Sequence, residues 1–143
     1  MVLKKIKPSL FAEMALPKLV WRIPGDTKKV YLTFDDGPIP EITEWVLDTL
    51  AAHDILATFF CVGDNVFKHP EVYSKILQAN HSVGIHTHNH LNNWKTPNDE
   101  YIKNIERASE FIDSKLFRPP YGKIKPSLIN KLTPHYKIIS VWI

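Results

Sequence analysis

Short apolar, β-branched runs alternate with amphipathic stretches along nearly the whole chain, and this alternation limits the possible folds more than any other feature. Val30-Tyr31-Leu32-Thr33-Phe34 reads as a first strand, stopped by the turn signal Asp35-Asp36-Gly37-Pro38. Between Glu41 and His53, the residues Ile42, Trp45, Val46, Thr49 and Leu50 fall at the spacing of one helical face. The pattern then recurs as a strand over 57–62, a helix over 66–79, a strand over 82–86 and a helix over 98–114. Leu116-Phe117-Arg118 is a short strand halted by Pro119-Pro120, residues 126–132 suit a helix, and 137–143 read as a fifth strand. Strands separated by helices predict an α/β domain of mostly parallel strands, with chemistry in the loops that succeed the strands.

At 143 residues and 44% hydrophobic content, the chain has material for one domain with a proper core. Its 18 basic and 15 acidic residues leave a net charge of +3, with the lysines dispersed, so nucleic acid is not an expected partner. Cys61 stands alone inside an apolar run, which excludes an intrachain disulfide and predicts a buried structural thiol. The first eight residues carry the positive charge of a signal n-region, but Glu13, Pro17 and Lys18 break up the apolar stretch that a signal would need next. The sequence therefore predicts no cleaved signal, a cytoplasmic location, and no transmembrane segment. Residues 1–20 are expected to form an N-terminal arm on a domain running from 21 to 143. The apolar run at 137–143 ends without a polar cap or covering helix, which predicts a fold cut short or completed by another chain, with self-association through this strand.

Polar groups with catalytic potential cluster at the predicted strand ends. Asp35 and Asp36 are adjacent where the first strand stops, so they can point one carboxylate to a metal and the other to a water; the same string also fits an exposed turn. His86 and His90 are four apart, and a single helical turn would put both imidazoles on one face; two imidazoles and a carboxylate leave open positions on a divalent ion. A plain histidine-rich loop fits as well. His88 would point away from that face, and His53, His69, His81 and His135 fall at helix ends or in connections, where solvated rings are expected. Arg118 is held extended by the proline after it and is suited either to orient Asp35 or to form a surface ion pair. Pro119 and Pro120 lack amide hydrogens, making Tyr121 the first residue of its loop able to donate a main-chain N–H to an oxyanion. Trp94 has the ring to stack on a sugar face or to pack in the core.

Thr33-Phe34-Asp35-Asp36-Gly37-Pro38, His86-Thr87-His88-Asn89-His90 and Arg118-Pro119-Pro120-Tyr121-Gly122 together resemble, in order, three motifs of the polysaccharide deacetylase family, carbohydrate esterase family 4 or NodB homology domain. The resemblance runs from about Trp21 to the C-terminus. It implies an incomplete (β/α) barrel and a metal-dependent hydrolase that removes acetyl groups from N-acetylated sugars of a chitooligosaccharide or peptidoglycan type, with Zn²⁺ as the divalent metal. Asp36, His86 and His90 would be the metal ligands, Asp35 the general base, Arg118 its orienting partner and Thr87 a support for the ligand loop. Tyr121 would neutralise the oxyanion, and Pro119, Tyr121 and Trp94 would contact an oligo- or polysaccharide substrate. The resemblance also implies a cell-envelope setting. The family's fourth motif and the fifth, with its general-acid histidine, have no counterpart here, which predicts as an alternative an impaired metal- and glycan-binding remnant. Ile85 before His86, and His88 between the ligands, also depart from the family pattern.

Overall fold

The computed structural model describes residues 10–23 and 29–140. Its strands are β1 (Thr33–Asp35), β2 (Thr58–Cys61), β3 (Ser82–Ile85), β4 (Leu116–Phe117) and β5 (Lys137–Ile138). Its helices are α1 (Leu10–Ala15), α2 (Ile42–Ala52), α3 (Gly63–Lys68), α4 (Pro70–Gln78), α5 (Asn98–Ser109) and α6 (Pro126–Leu132), with short 3-10 turns at Asn93–Lys95 and Pro120–Gly122.

The strands form one sheet in chain order, β1-β2-β3-β4-β5, and every pairing is parallel. All strands therefore run the same way, and the residues leaving their carboxyl ends meet at one rim of the sheet. Thr33 sits opposite Thr58, Thr58 opposite Ser82, and Ile85 opposite Phe117, a register that brings Asp35, Cys61, Ile85 and Phe117 to that rim together. Phe59, Cys61, Ile85, Phe117 and Ile138 join Leu47, Leu50, Ile76, Tyr101, Ile105 and Leu128 from the helices in a common core. Side chains alternate across a strand, so Phe60 faces away from its neighbours Phe59 and Cys61, yet it is buried too. Cys61 is fully buried, and burial pushes its thiol up to about 12, so it serves packing.

The predicted α/β class and parallel alternation hold, but several elements differ in extent. The expected helix over 66–79 is two helices, α3 and α4, because Pro70 lacks an amide hydrogen and holds His69 out of helical geometry (φ −131°, ψ 56°). The first strand is shorter than expected: its pairing with β2 begins at Thr33, leaving Val30 and Tyr31 exposed and outside the strand. The helix expected to reach residue 114 ends at Ser109. β5 ends at Ile138, and residues 141–143 of the expected strand lie outside the described residues.

The far edge of β5 is met by the N-terminal segment. Val20 bridges Ile139 in parallel, its N–H donating to the Ile138 carbonyl at 2.8 Å and its own carbonyl accepting from the Ser140 N–H at 3.1 Å. Leu19 is buried in the core beside this bridge. Residues 19 and 20 of the expected arm are thus part of the domain's packing. Among the described residues no helix is long and apolar enough to cross a membrane.

Candidate metal centre

Asp36 leaves β1 with φ of 70°, a left-handed conformation that turns the chain sharply after Asp35. Asn65 of α3 fixes that turn by donating from Nδ2 to the Asp36 carbonyl at 2.7 Å. The Asp36 carboxylate reaches the loop beyond β3, where its Oδ1 stands 3.4 Å from His86 Nε2 and 3.0 Å from His90 Nε2. Donor atoms of Asp36, His86 and His90 all lie within 4.8 Å of one another. Two donors each about 2.1 Å from one ion stand about 3.0 Å apart across a right angle and about 3.4 Å apart across a tetrahedral one, so both carboxylate–imidazole spacings fit a single small divalent cation.

The imidazoles do not converge on a helical turn as the spacing alone predicts. Residues 86–90 form an irregular loop in which Thr87 (φ 62°) and His90 (φ 53°) adopt left-handed geometry, and this backbone brings the rings to a centroid separation of 5.1 Å. His86 Nδ1 donates to the Arg118 carbonyl at 2.7 Å, which leaves the Nε2 lone pair directed to Asp36. Burial holds the His86 imidazole below its ordinary pKa, with Asp35 the strongest opposing influence; the neutral ring is the form that ligates metals. The buried Thr87 hydroxyl accepts from the Leu91 N–H at 3.2 Å. His88 faces away from the donor group and stacks on Phe111 at 5.7 Å.

Asp35 points elsewhere. Its Oδ1 accepts from Arg118 Nη1 at 2.6 Å, and the same nitrogen donates to Thr33 Oγ1 at 2.9 Å. The Arg118 side chain is only 3% exposed, and its guanidinium carbon lies 4.0 Å from the centroid of the Phe60 ring. Its Nε and Nη2 are buried without a hydrogen-bond partner among the described residues. The two aspartates are therefore committed in different directions, one to the imidazoles and one to the guanidinium.

Tyr121 adopts φ of 60°, and its exposed ring packs against His90 at 4.7 Å. Pro119 beside it is buried and offers little surface. Trp94 is 64% exposed rather than packed in the core, with Lys123 Nζ 5.4 Å from its ring centroid. The turn carrying Trp94 is tied to the Tyr121 loop by the fully buried Asn93, whose Oδ1 accepts from the Lys125 N–H at 2.6 Å. One expectation about the other histidines fails: His81 is buried, its Nδ1 accepting from the Ala57 N–H at 3.3 Å, and burial lowers its pKa. His53 and His135 are exposed and His69 is half-buried. Thr33, Phe60 and Asn65 support the site without having been singled out; only Thr33 and Asn65 carry a polar group that hints at such a role, and both residue types are common in turns and strands.

The chain matches the family model described as polysaccharide deacetylase over residues 22–135. The chain belongs to the polysaccharide deacetylase family. This family membership is shared with a peptidoglycan-N-acetylglucosamine deacetylase of Bacillus cereus, to which it is 37% identical over 125 residues, covering 83% of this chain and 46% of that protein. A chitooligosaccharide deacetylase of Rhizobium leguminosarum bv. trifolii is 37% identical over 90 residues, covering 63% of this chain and 42% of that protein. The crystal structure of the Bc1960 peptidoglycan N-acetylglucosamine deacetylase superposes with a TM-score of 0.78 at 36% identity, over 81% of this chain and 57% of that one. The polysaccharide deacetylase chain thus spans about half the length of the curated relatives it matches. Its five parallel strands follow the (β/α) barrel architecture of the family's solved members.

Proposed function

We propose that this chain forms the metal-bearing half of a hydrolase that removes acetyl groups from N-acetylated sugars in an oligo- or polysaccharide. The observation that carries the reading is the meeting of Asp36 Oδ1 with His86 Nε2 and His90 Nε2 at 3.4 and 3.0 Å, beside an Asp35 carboxylate already engaged by Arg118 at 2.6 Å. Asp36, His86 and His90 are the ligands that would hold a divalent ion, with zinc the metal their donor set suits best. Such an ion supplies Lewis acidity toward a carbonyl oxygen and acidifies a water.

Asp35 takes the proton of the attacking water, and the Arg118–Thr33 hydrogen bonds hold its carboxylate in place for that transfer. The Tyr121 N–H donates to the oxygen on which negative charge develops, a role that neither Pro119 nor Pro120 can fill. Thr87 keeps the ligand loop in shape, while Tyr121 and Trp94 present exposed rings for the glycan. Names of the relatives support both peptidoglycan and chitooligosaccharide as substrate classes, and peptidoglycan, a cell-wall polymer, would suit a cell-envelope setting.

A second reading, a metal- and glycan-binding chain with little turnover, is favoured by the placement of the other histidines. Among the described residues His88 stacks on Phe111, and His53, His81 and His135 lie in the connections that enter β2, β3 and β5 at the opposite end of the strands, so none of these four is placed to protonate the departing amine. Acetate release from N-acetylglucosamine oligomers by the zinc-loaded chain, measured beside zinc and glycan binding, separates the two. Rapid release refutes the impaired reading, binding without release refutes full activity for these residues, and failure to bind zinc refutes both.

A further inference from the structure

The loop carrying the two imidazoles is clamped from both sides by groups that do not touch the metal-binding atoms. On one side, the first amides of α3 take its carbonyls: Gly63 N–H donates to the Thr87 carbonyl at 3.0 Å and Asp64 N–H to the His88 carbonyl at 2.9 Å. On the other side stands Asn104 of α5. Its Oδ1 accepts from the Asn89 N–H at 3.0 Å and, at 2.8 Å, from the His88 N–H, which it shares with its own main-chain carbonyl at 3.1 Å, and its Nδ2 donates to Asn89 Oδ1 at 2.9 Å.

We infer that Asn104 is a positioning residue for the metal centre, acting by holding the loop between His86 and His90 in its left-handed geometry. The inference rests on the metal-site reading above. Three physical arguments support it. Thr87 and His90 each sit in a left-handed conformation that is strained for a non-glycine residue, so the loop keeps its shape only if its surroundings over-determine it. Two successive amides converging on one carboxamide oxygen leave neither free to rotate, and the returning Nδ2 bond fixes the carboxamide's own orientation. Asparagine is also a poor helix former in mid-helix, and Asn104 spends its side chain outside α5 instead of on the α5 backbone. His86 and His90 then need no reorganisation on binding an ion, which makes the cost of misplacing the loop visible in affinity.

The test is zinc titration of the purified chain and its variants, with thermal unfolding of the metal-free forms. Asn104→Ala is expected to weaken zinc binding by about 10- to 100-fold, the range seen when groups behind metal ligands are removed. Asn104→Asp, which keeps the double acceptor, is expected to recover most of that loss. A purely structural role would lower the unfolding temperature of the metal-free chain in both variants and leave no separate loss of affinity. Amide hydrogen exchange on the unaltered, metal-free chain provides a measurement independent of any variant's folding, with Asn89, whose N–H is held by the carboxamide, expected to be protected. Unprotected exchange at the Asn89 amide, unchanged zinc affinity in Asn104→Ala, or equal losses in the two variants would each overturn the inference. Failure of the unaltered chain to bind zinc would instead overturn the metal-site reading itself.

Discussion

The Phe60 ring lies beneath the Arg118 guanidinium, with 4.0 Å between the ring centroid and the guanidinium carbon, and this contact links the middle of the sheet to the rim that carries the aspartates. Gly84 supports it from the neighbouring strand: a Cβ there would come within 2.5 Å of two Phe60 ring carbons. Glycine is needed at this position to admit the ring, and the ring in turn sets the height of Arg118 and hence of Asp35.

Gly84→Ala is accordingly expected to destabilise the chain by about 1–3 kcal/mol, because the added methyl pushes an already buried ring off its seat. Urea denaturation measures the loss, and unchanged stability would show that Phe60 has room to yield.

The two aspartates are expected to separate cleanly by substitution. Asp36→Ala removes the carboxylate between the imidazoles and should abolish zinc binding, whereas Asp35→Asn should retain it while losing hydrolysis. Metal content after equilibration with zinc checks the first statement, and equal content in both variants would contradict the division of roles.

Arg118→Met is expected to cost about 1–3 kcal/mol of stability, since it leaves Asp35 and Thr33 without their buried donor; the partial exposure of Asp35 keeps the loss below that of a fully buried pair. Arg118→Lys should recover only part of this loss, because an ammonium lacks the planar guanidinium that sits over Phe60. Chemical denaturation of the metal-free chain tests both.

Acidification is expected to destabilise the metal-free chain. Burial holds His81 below the ordinary histidine value in the folded state, so above a pH of about 6.5 neither state is protonated and its contribution is complete. As pH falls through that value the unfolded chain takes up the proton first, and stability drops until the folded-state pKa is passed. His86 and His88, also lowered by burial, act in the same direction. His81→Asn keeps an acceptor for the Ala57 N–H without titrating, and should flatten the fall in unfolding temperature between about pH 7 and pH 5. An unchanged slope would remove His81 from the account.

Much of this arrangement is legible from residue order. Parallel alternation dictates that Asp35, His86 and Arg118 leave the sheet at the same rim, so their meeting is a consequence of topology once the strands are recognised. Other features are not legible. The convergence of His86 and His90 depends on left-handed torsions at Thr87 and His90, and neither threonine nor histidine advertises that conformation as glycine would. Asn104 lies among the polar positions of α5, where a residue that clamps a loop looks the same as one facing water. The burial of His81 comes from the approach of Ala57 at 3.3 Å, a contact made across 24 residues of chain. Local pattern carries element type and direction, whereas torsions and long-range clamps are settled by packing.

The bridge between Val20 and Ile139 bears on how the molecule is born. Val20 leaves the ribosome long before its partner has been translated, so its backbone groups wait in water while the strands between them assemble. The sheet margin beside β5 therefore closes only after every residue from β1 to β5 has been translated, and a nascent chain stalled short of Ile139 would leave Val20 without its partner.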